Sequence, residues 1–151
     1  DFNLPDRLEA EYIGEDGAKH KPVMMHRAIL GSFERFIGIL IENYSGKLPL
    51  WLAPVQLSIL TVTGEVNDYA LSLKQKFEEI NLRVELDNRN EKIGYKIREH
   101  SNAKVPLMAV IGKDEMSAET ISIRNLSKNA TNTYLIKEAV SLLKKESKPP
   151  E

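Results

Sequence analysis

From Val55 to the C-terminal end, apolar positions switch between two periods. Val55 to Thr63 is rich in Val, Ile, Leu and Thr and predicts a strand. From Asn67 to Ile80 the period lengthens. Ala70, Leu73, Phe77 and Ile80 form one helical stripe, with Lys74, Lys76, Glu78 and Glu79 outward. Leu82 to Leu86 alternates as a strand. Glu91 to His100 predicts a helix with Ile93 and Ile97 inward. Leu107 to Ile111 is continuously apolar, as a central strand covered on both faces must be. Gly112 to Glu115 turns the chain, Thr120 to Leu126 predicts a strand, and Tyr134 to Lys145 a closing helix with Leu135, Ala139, Leu142 and Leu143 inward. Alternation of this kind implies an α/β layer with right-handed crossovers. The expected fold is a mixed sheet of about five strands flanked by three helices.

A different pattern precedes it. Arg7 to Ile13 alternates as a half-buried strand, Gly14 to Gly17 is a turn cluster, and about Lys21 to Leu30 predicts a second strand, giving a β-hairpin. Phe33, Phe36, Ile37, Leu40, Ile41 and Tyr44 then recur at helical spacing, with Ser32 as N-cap and Gly46 as the stop. Ser45 to Pro49 has turn chemistry and divides the chain into two domains, 1–45 and 46–151. Trp51 lies among apolar neighbours and is expected to pack between the domains.

Composition excludes several classes. The 151 residues contain no cysteine, so disulfides and thiol chemistry are absent. No apolar run approaches the roughly 18 residues of a membrane span, and no signal-peptide pattern opens the chain. A cytoplasmic location is expected. The formal net charge of −1 argues against a nonspecific DNA or RNA binder, so any nucleic-acid site must be local. One local excess exists. Asn88 to Lys104 holds five basic residues and two acids, net +3. Charge alone leaves a solvated helix face and an RNA contact equally open. Within it, Gly94 costs the helix about 1 kcal/mol relative to alanine, which points to close packing or a nearby ligand. In Thr120 to Leu126, Ile121 and Ile123 face one way while Thr120, Ser122 and Arg124 face the other. Arg124 is therefore on the open face, within reach of an unpaired base.

Near the N-terminal end, a lone histidine, His26, sits in an apolar run with no Cys or His at ligand spacing. Arg35 lies in the first turn of a helix, where a cation opposes the dipole. That placement suggests an anion or a π-face nearby.

The string HRAILGSFERFIGIL and the run RNEKIGYKIREH resemble the threonyl-tRNA synthetases, which belong to the class II aminoacyl-tRNA synthetases. The resemblance covers nearly the whole chain. It implies that residues 1–45 end a catalytic domain at its motif 3 and that 46–151 form an anticodon-binding domain. The chain would then be the C-terminal portion of threonine–tRNA ligase, which activates threonine with ATP and Mg2+ and transfers it to tRNA(Thr) as a homodimer. It also implies residue roles. Arg35 is catalytic and packs on ATP. Ser32 lines the ATP pocket, and Ala28 lies beside the threonine substrate. His26, nine positions before Arg35, is one zinc ligand, the others having no counterpart here. Asn90, Lys104, Glu115 and Arg124 match anticodon-reading positions, Lys104 standing where arginine is common. The segment alone is expected to be inactive. The alternative reading is a non-catalytic RNA-binding or accessory module that reuses the fold.

Overall fold

The computed structural model describes residues 1–150. The chain divides into two compact units, Asp1–Ile39 and Leu40–Glu151.

In the first unit, α1 (Asn3–Arg7) is followed by a two-residue hairpin, β1 (Tyr12–Ile13) against β2 (Lys19–His20). The Asp1 carboxylate accepts from the backbone N–H groups of Asn3 and Leu4, which satisfies two of the orphan donors at the start of α1. The turn at Gly14 to Gly17 forms as expected. A Cβ at Gly14 would fall 2.7 Å from the His20 ring, so any other residue there would displace that ring. Of the first predicted strand only Tyr12–Ile13 forms, and the second does not form. Arg7 belongs to α1, and residues 21–30 carry no regular structure and are mostly exposed. A strand needs a neighbour for its backbone groups, and among the described residues this run has only one point of pairing, Met24 with Asp1, whose N–H and carbonyl groups exchange bonds at 3.1 and 2.8 Å. Helix α2 (Phe33–Asn43) does form, but none of its residues is buried.

The second unit begins at the end of α2. The Ser45 and Gly46 N–H groups donate to the carbonyls of Glu42 and Ile41, a Schellman stop. The left-handed position is taken by Ser45 (φ 49°), with Gly46 (φ 75°) following it. Residues 50–56 are held by side chains of the next strands. Arg83 donates to the Trp51 and Ala53 carbonyls, and Gln56 bonds the Leu50 carbonyl and the Arg83 N–H.

Five strands follow: β3 (Leu57–Thr61), β4 (Val84–Asp87), β5 (Leu107–Ile111), β6 (Thr120–Asn125) and β7 (Ala130–Leu135). Their order is β4-β3-β5-β6-β7, the first three parallel and the last two antiparallel. Helices α3 (Asn67–Glu78), α4 (Ile93–Asn102), a short α5 (Lys113–Ala118) and α6 (Ile136–Glu146) complete the unit. Gly112 to Glu115 was expected as a turn; it instead caps and opens α5. Strand β7 was not expected. Its ATNTYL sequence lies at the sheet edge with few apolar positions, so no alternation marks it.

Register separates the two faces. Leu57, Ile59, Leu107, Ala109, Ile111, Ile121 and Ile123 share one face and join Ala70, Leu73 and Phe77 of α3 and Ala139 and Leu143 of α6 in the core. The opposite face carries Glu85, Asp87, Ser58, Leu60, Met108, Val110, Ser122 and Arg124. There α4 contacts β4, β3 and β5 through His100 to Ser58 and Asp87, and through Ser101 to Met108.

Candidate nucleic-acid interface

Beyond α4 the second face carries polar side chains. Arg124 pairs across from Thr131 and Ser122 from Thr133, and both threonines are exposed. The Ser122 and Thr133 hydroxyls are 3.0 Å apart, and Arg124 Nη2 donates to Asn129 Oδ1 at 3.3 Å. The alternation predicted for this strand holds: Ile121 and Ile123 are buried and Arg124 is half-buried on the open side. Glu115 reaches the same strip. Its Oε2 accepts from the Gly112 N–H at 2.9 Å and its Oε1 from Ser122 Oγ at 3.1 Å. Glycine has no side chain to return the bond, so only the glutamate half of a capping box exists. Glu115 is thus held in place, with a second lone pair on each oxygen still available. Glu115 is bonded to Ser122, and Arg124 stands two residues further along the same face of β6.

Asn90 and Lys104 lie apart from them, at opposite ends of α4. Asn90 is exposed in the loop between β4 and α4. Lys104 follows α4 and takes the left-handed conformation (φ 61°) that closes its Schellman stop. It also lines a cavity of about 680 Å³ together with Arg89, Glu99 and His100.

The loop bearing Asn90 is anchored by a buried polar cluster that sequence reading did not find. Lys96 is 1% exposed, and its ammonium donates to the Thr61 carbonyl at 2.9 Å and the Asp87 carbonyl at 3.1 Å. His100 bridges Ser58 Oγ and Asp87 Oδ2, each at 3.1 Å. Arg89 closes on the Asp87 carboxylate through Nε and Nη2 at 3.0 and 2.7 Å, and on Glu99 at 2.6 Å. The Arg89 guanidinium holds the Asp87 carboxyl well below the usual carboxylate range, against the opposing effect of burial, with His100 and Lys96 adding to the depression. The expected inner residues Ile93 and Ile97 are only half-buried, and Lys96 and His100 are the buried ones. A signal was present: 93, 96, 97 and 100 fall on one helical stripe. Two of its four positions are ionisable, which disguised it.

The first unit's candidates are arranged differently. Ser32 Oγ accepts weakly from the Arg35 N–H at 3.4 Å, as an N-cap should, and donates to Glu34 at 2.6 Å, which lowers the Glu34 pKa. Among the described residues Arg35 makes no ion pair, and it and Ala28 are exposed. His26 Nε2 is 2.8 Å from the Asp1 carboxylate. No group of three His, Cys, Asp or Glu residues able to hold a metal occurs among the described residues.

Comparison with known proteins bears on this strip and its fold together. The family model for the anticodon binding domain matches residues 56–146, which spans the sheet, α4 and the Arg124 strip. The chain belongs to the anticodon-binding domain family. Over all 151 residues it is 56% identical to a threonine–tRNA ligase of Parvibaculum lavamentivorans. It is 59% identical over 143 residues to that of Ehrlichia chaffeensis. In both cases the match takes up 23% of the relative's length, so the chain spans about a quarter of these enzymes. The RNA binding domain of threonyl-tRNA synthetase from Cryptosporidium parvum superposes with a TM-score of 0.76 at 29% identity, covering 99% of this chain and 38% of that one. The matched span includes Asn90, Lys104, Glu115 and Arg124. Among the described residues no helix is long and apolar enough to cross a membrane.

Proposed function

We propose that the chain is the anticodon-reading portion of a threonine–tRNA ligase, with the β6–β7 strip receiving unpaired anticodon bases. The observation that carries this reading is Arg124. It lies on the β6–β7 strip of the second face, which α4 leaves uncovered, beside a glutamate already oriented by two hydrogen bonds. Arginine offers two donors to guanine's acceptor edge, a contact worth about 1–3 kcal/mol of discrimination. Threonine anticodons carry guanine at the middle position. Glu115, acceptor-only when ionised, complements the imino and amino donors of a base. Sequence-specific RNA recognition uses splayed bases in this way. Asn90 and Lys104 would contact the flanking nucleotides from the two ends of α4. Lysine at 104 supplies charge without arginine's planar fork.

The first unit would serve the parent enzyme's other half-reaction. Arg35 would pack on the adenine of ATP, which enters with Mg2+, with Ser32 beside it. Ala28 would leave room for threonine. His26 would supply one imidazole of a zinc site completed by residues outside this chain, and zinc there would bind threonine's amino and hydroxyl groups. The whole enzyme would work in the cytoplasm as a homodimer.

Arg124→Ala tests the reading in the full-length enzyme. Charging of tRNA should fall about tenfold, from the lower half of that energy range. ATP–pyrophosphate exchange without tRNA should be unchanged, and discrimination at the middle anticodon base should weaken. A parallel fall in exchange would make Arg124 a folding residue; no change in either would move the site elsewhere.

A further inference from the structure

The flank of α4 that borders the open strip carries a gap. Ser101 contacts Met108 of β5, so the Ser101 side of the helix faces β5 and, beyond it, β6. Gly94 lies seven residues earlier, two turns along the same flank. Helix α4 runs back across parallel strands, so Gly94 is about 10 Å further toward the C-terminal end of β5, near the level of Val110 and Ser122. A Cβ built on Gly94 would meet nothing within 4 Å. Close packing, the first explanation for a helical glycine here, is therefore ruled out. An independent observation lies below it. Val110 is the one residue of the central strand β5 that is not fully buried, although its register neighbours Leu60 and Ser122 lie on either side. An apolar floor left half-open in mid-sheet, beside a helix stripped of its side chain, is a slot.

We infer that Gly94 is an RNA-contact position: a flat, unpaired base enters between the bare α4 backbone and the Val110–Ser122 floor, next to Glu115. Bases have apolar faces and polar edges. The slot matches both, with Val110 beneath the face and Ser122 and Glu115 at the edge. A methyl group at 94 would occupy the space the base needs. The inference rests on the anticodon reading above and adds the residue that shapes its pocket.

The test uses the 151-residue chain and a labelled anticodon stem-loop of a threonine tRNA, followed by fluorescence anisotropy. Gly94→Ala should bind at least tenfold more weakly while its melting temperature stays equal or rises, because alanine is the better helix former. Gly38→Ala in α2, another helical glycine with open space around it, should leave RNA affinity unchanged. Val110→Ala should weaken binding as well, by removing the floor. Equal affinity for wild type and Gly94→Ala would overturn the slot and leave the anticodon reading standing. Failure of the wild-type chain to distinguish stem-loops altered in the anticodon would overturn both. Weaker binding accompanied by a lower melting temperature would mark Gly94 as structural and reject it as a contact.

Discussion

Replacing Lys96 by methionine isolates the buried cluster beneath the Asn90 loop. Methionine nearly matches the lysine stem in volume, so the apolar packing of the side chain is kept and the charge alone is lost. Two hydrogen bonds disappear, to the Thr61 and Asp87 carbonyls, together with an ion pair to Asp87 at 3.8 Å. Depriving a buried acceptor of its donor costs about 1–3 kcal/mol, and breaking a buried ion pair about 3–5 kcal/mol. Asp87 keeps Arg89 and His100, and its carbonyl keeps a long 3.4 Å contact from the Thr61 hydroxyl. The lower end therefore applies, about 3 kcal/mol, a large share of the roughly 5–15 kcal/mol that stabilises a domain. Urea unfolding followed by Trp51 fluorescence should show the midpoint falling by about 1–3 M, for slopes of about 1–3 kcal/mol per molar. The exposed Lys92→Met should stay within about 0.5 kcal/mol. A loss below about 1 kcal/mol for Lys96→Met would refute the reasoning, because the carbonyls would then be satisfied without the ammonium.

Two further outcomes are expected. The folded-state pKa of Asp87 lies below its unfolded value of about 3.9, so its charge stabilises the fold above that pH and the contribution is lost as pH falls through it and below. Urea midpoints measured between pH 6 and pH 2 should drop more steeply for the wild type than for Asp87→Asn, and identical slopes would show that Asp87 is not linked to folding. Helix α2 exposes Phe33 at 68% and Ile37 at 50%, and an apolar face of that kind drives association. Sedimentation velocity should show self-association that grows with concentration and is reduced in the Phe33→Gln, Ile37→Gln variant; a monomer at every concentration would reject this.

The sequence by itself determined the strand and helix alternation from Leu57 to Ile111, because the helices bury one face and read with a helical period, while β3 and β5 are covered on both faces and read as predominantly apolar runs. It also determined the side of β6 on which Arg124 stands, since two buried isoleucines at alternate positions leave the arginine no other direction. Only tertiary structure decided the rest. Lys96 and His100 are buried because Asp87 and the ends of β3 and β4 lie where their polar atoms reach, a long-range match that no local window contains. Strand β7 exists because β6 offers it backbone partners, not because its own polar residues favour burial. Residues 21–30 fail to form a strand for the converse reason: their apolar sequence suits one, but among the described residues the neighbouring backbone pairs with them at a single residue, Met24 with Asp1, too little to build a ladder. Ser45 and Lys104 hold left-handed conformations that their side chains disfavour, because the Schellman stops of α2 and α4 require that geometry at the residue following the cap. In each case local preference yielded to hydrogen-bond partners supplied from elsewhere in the fold.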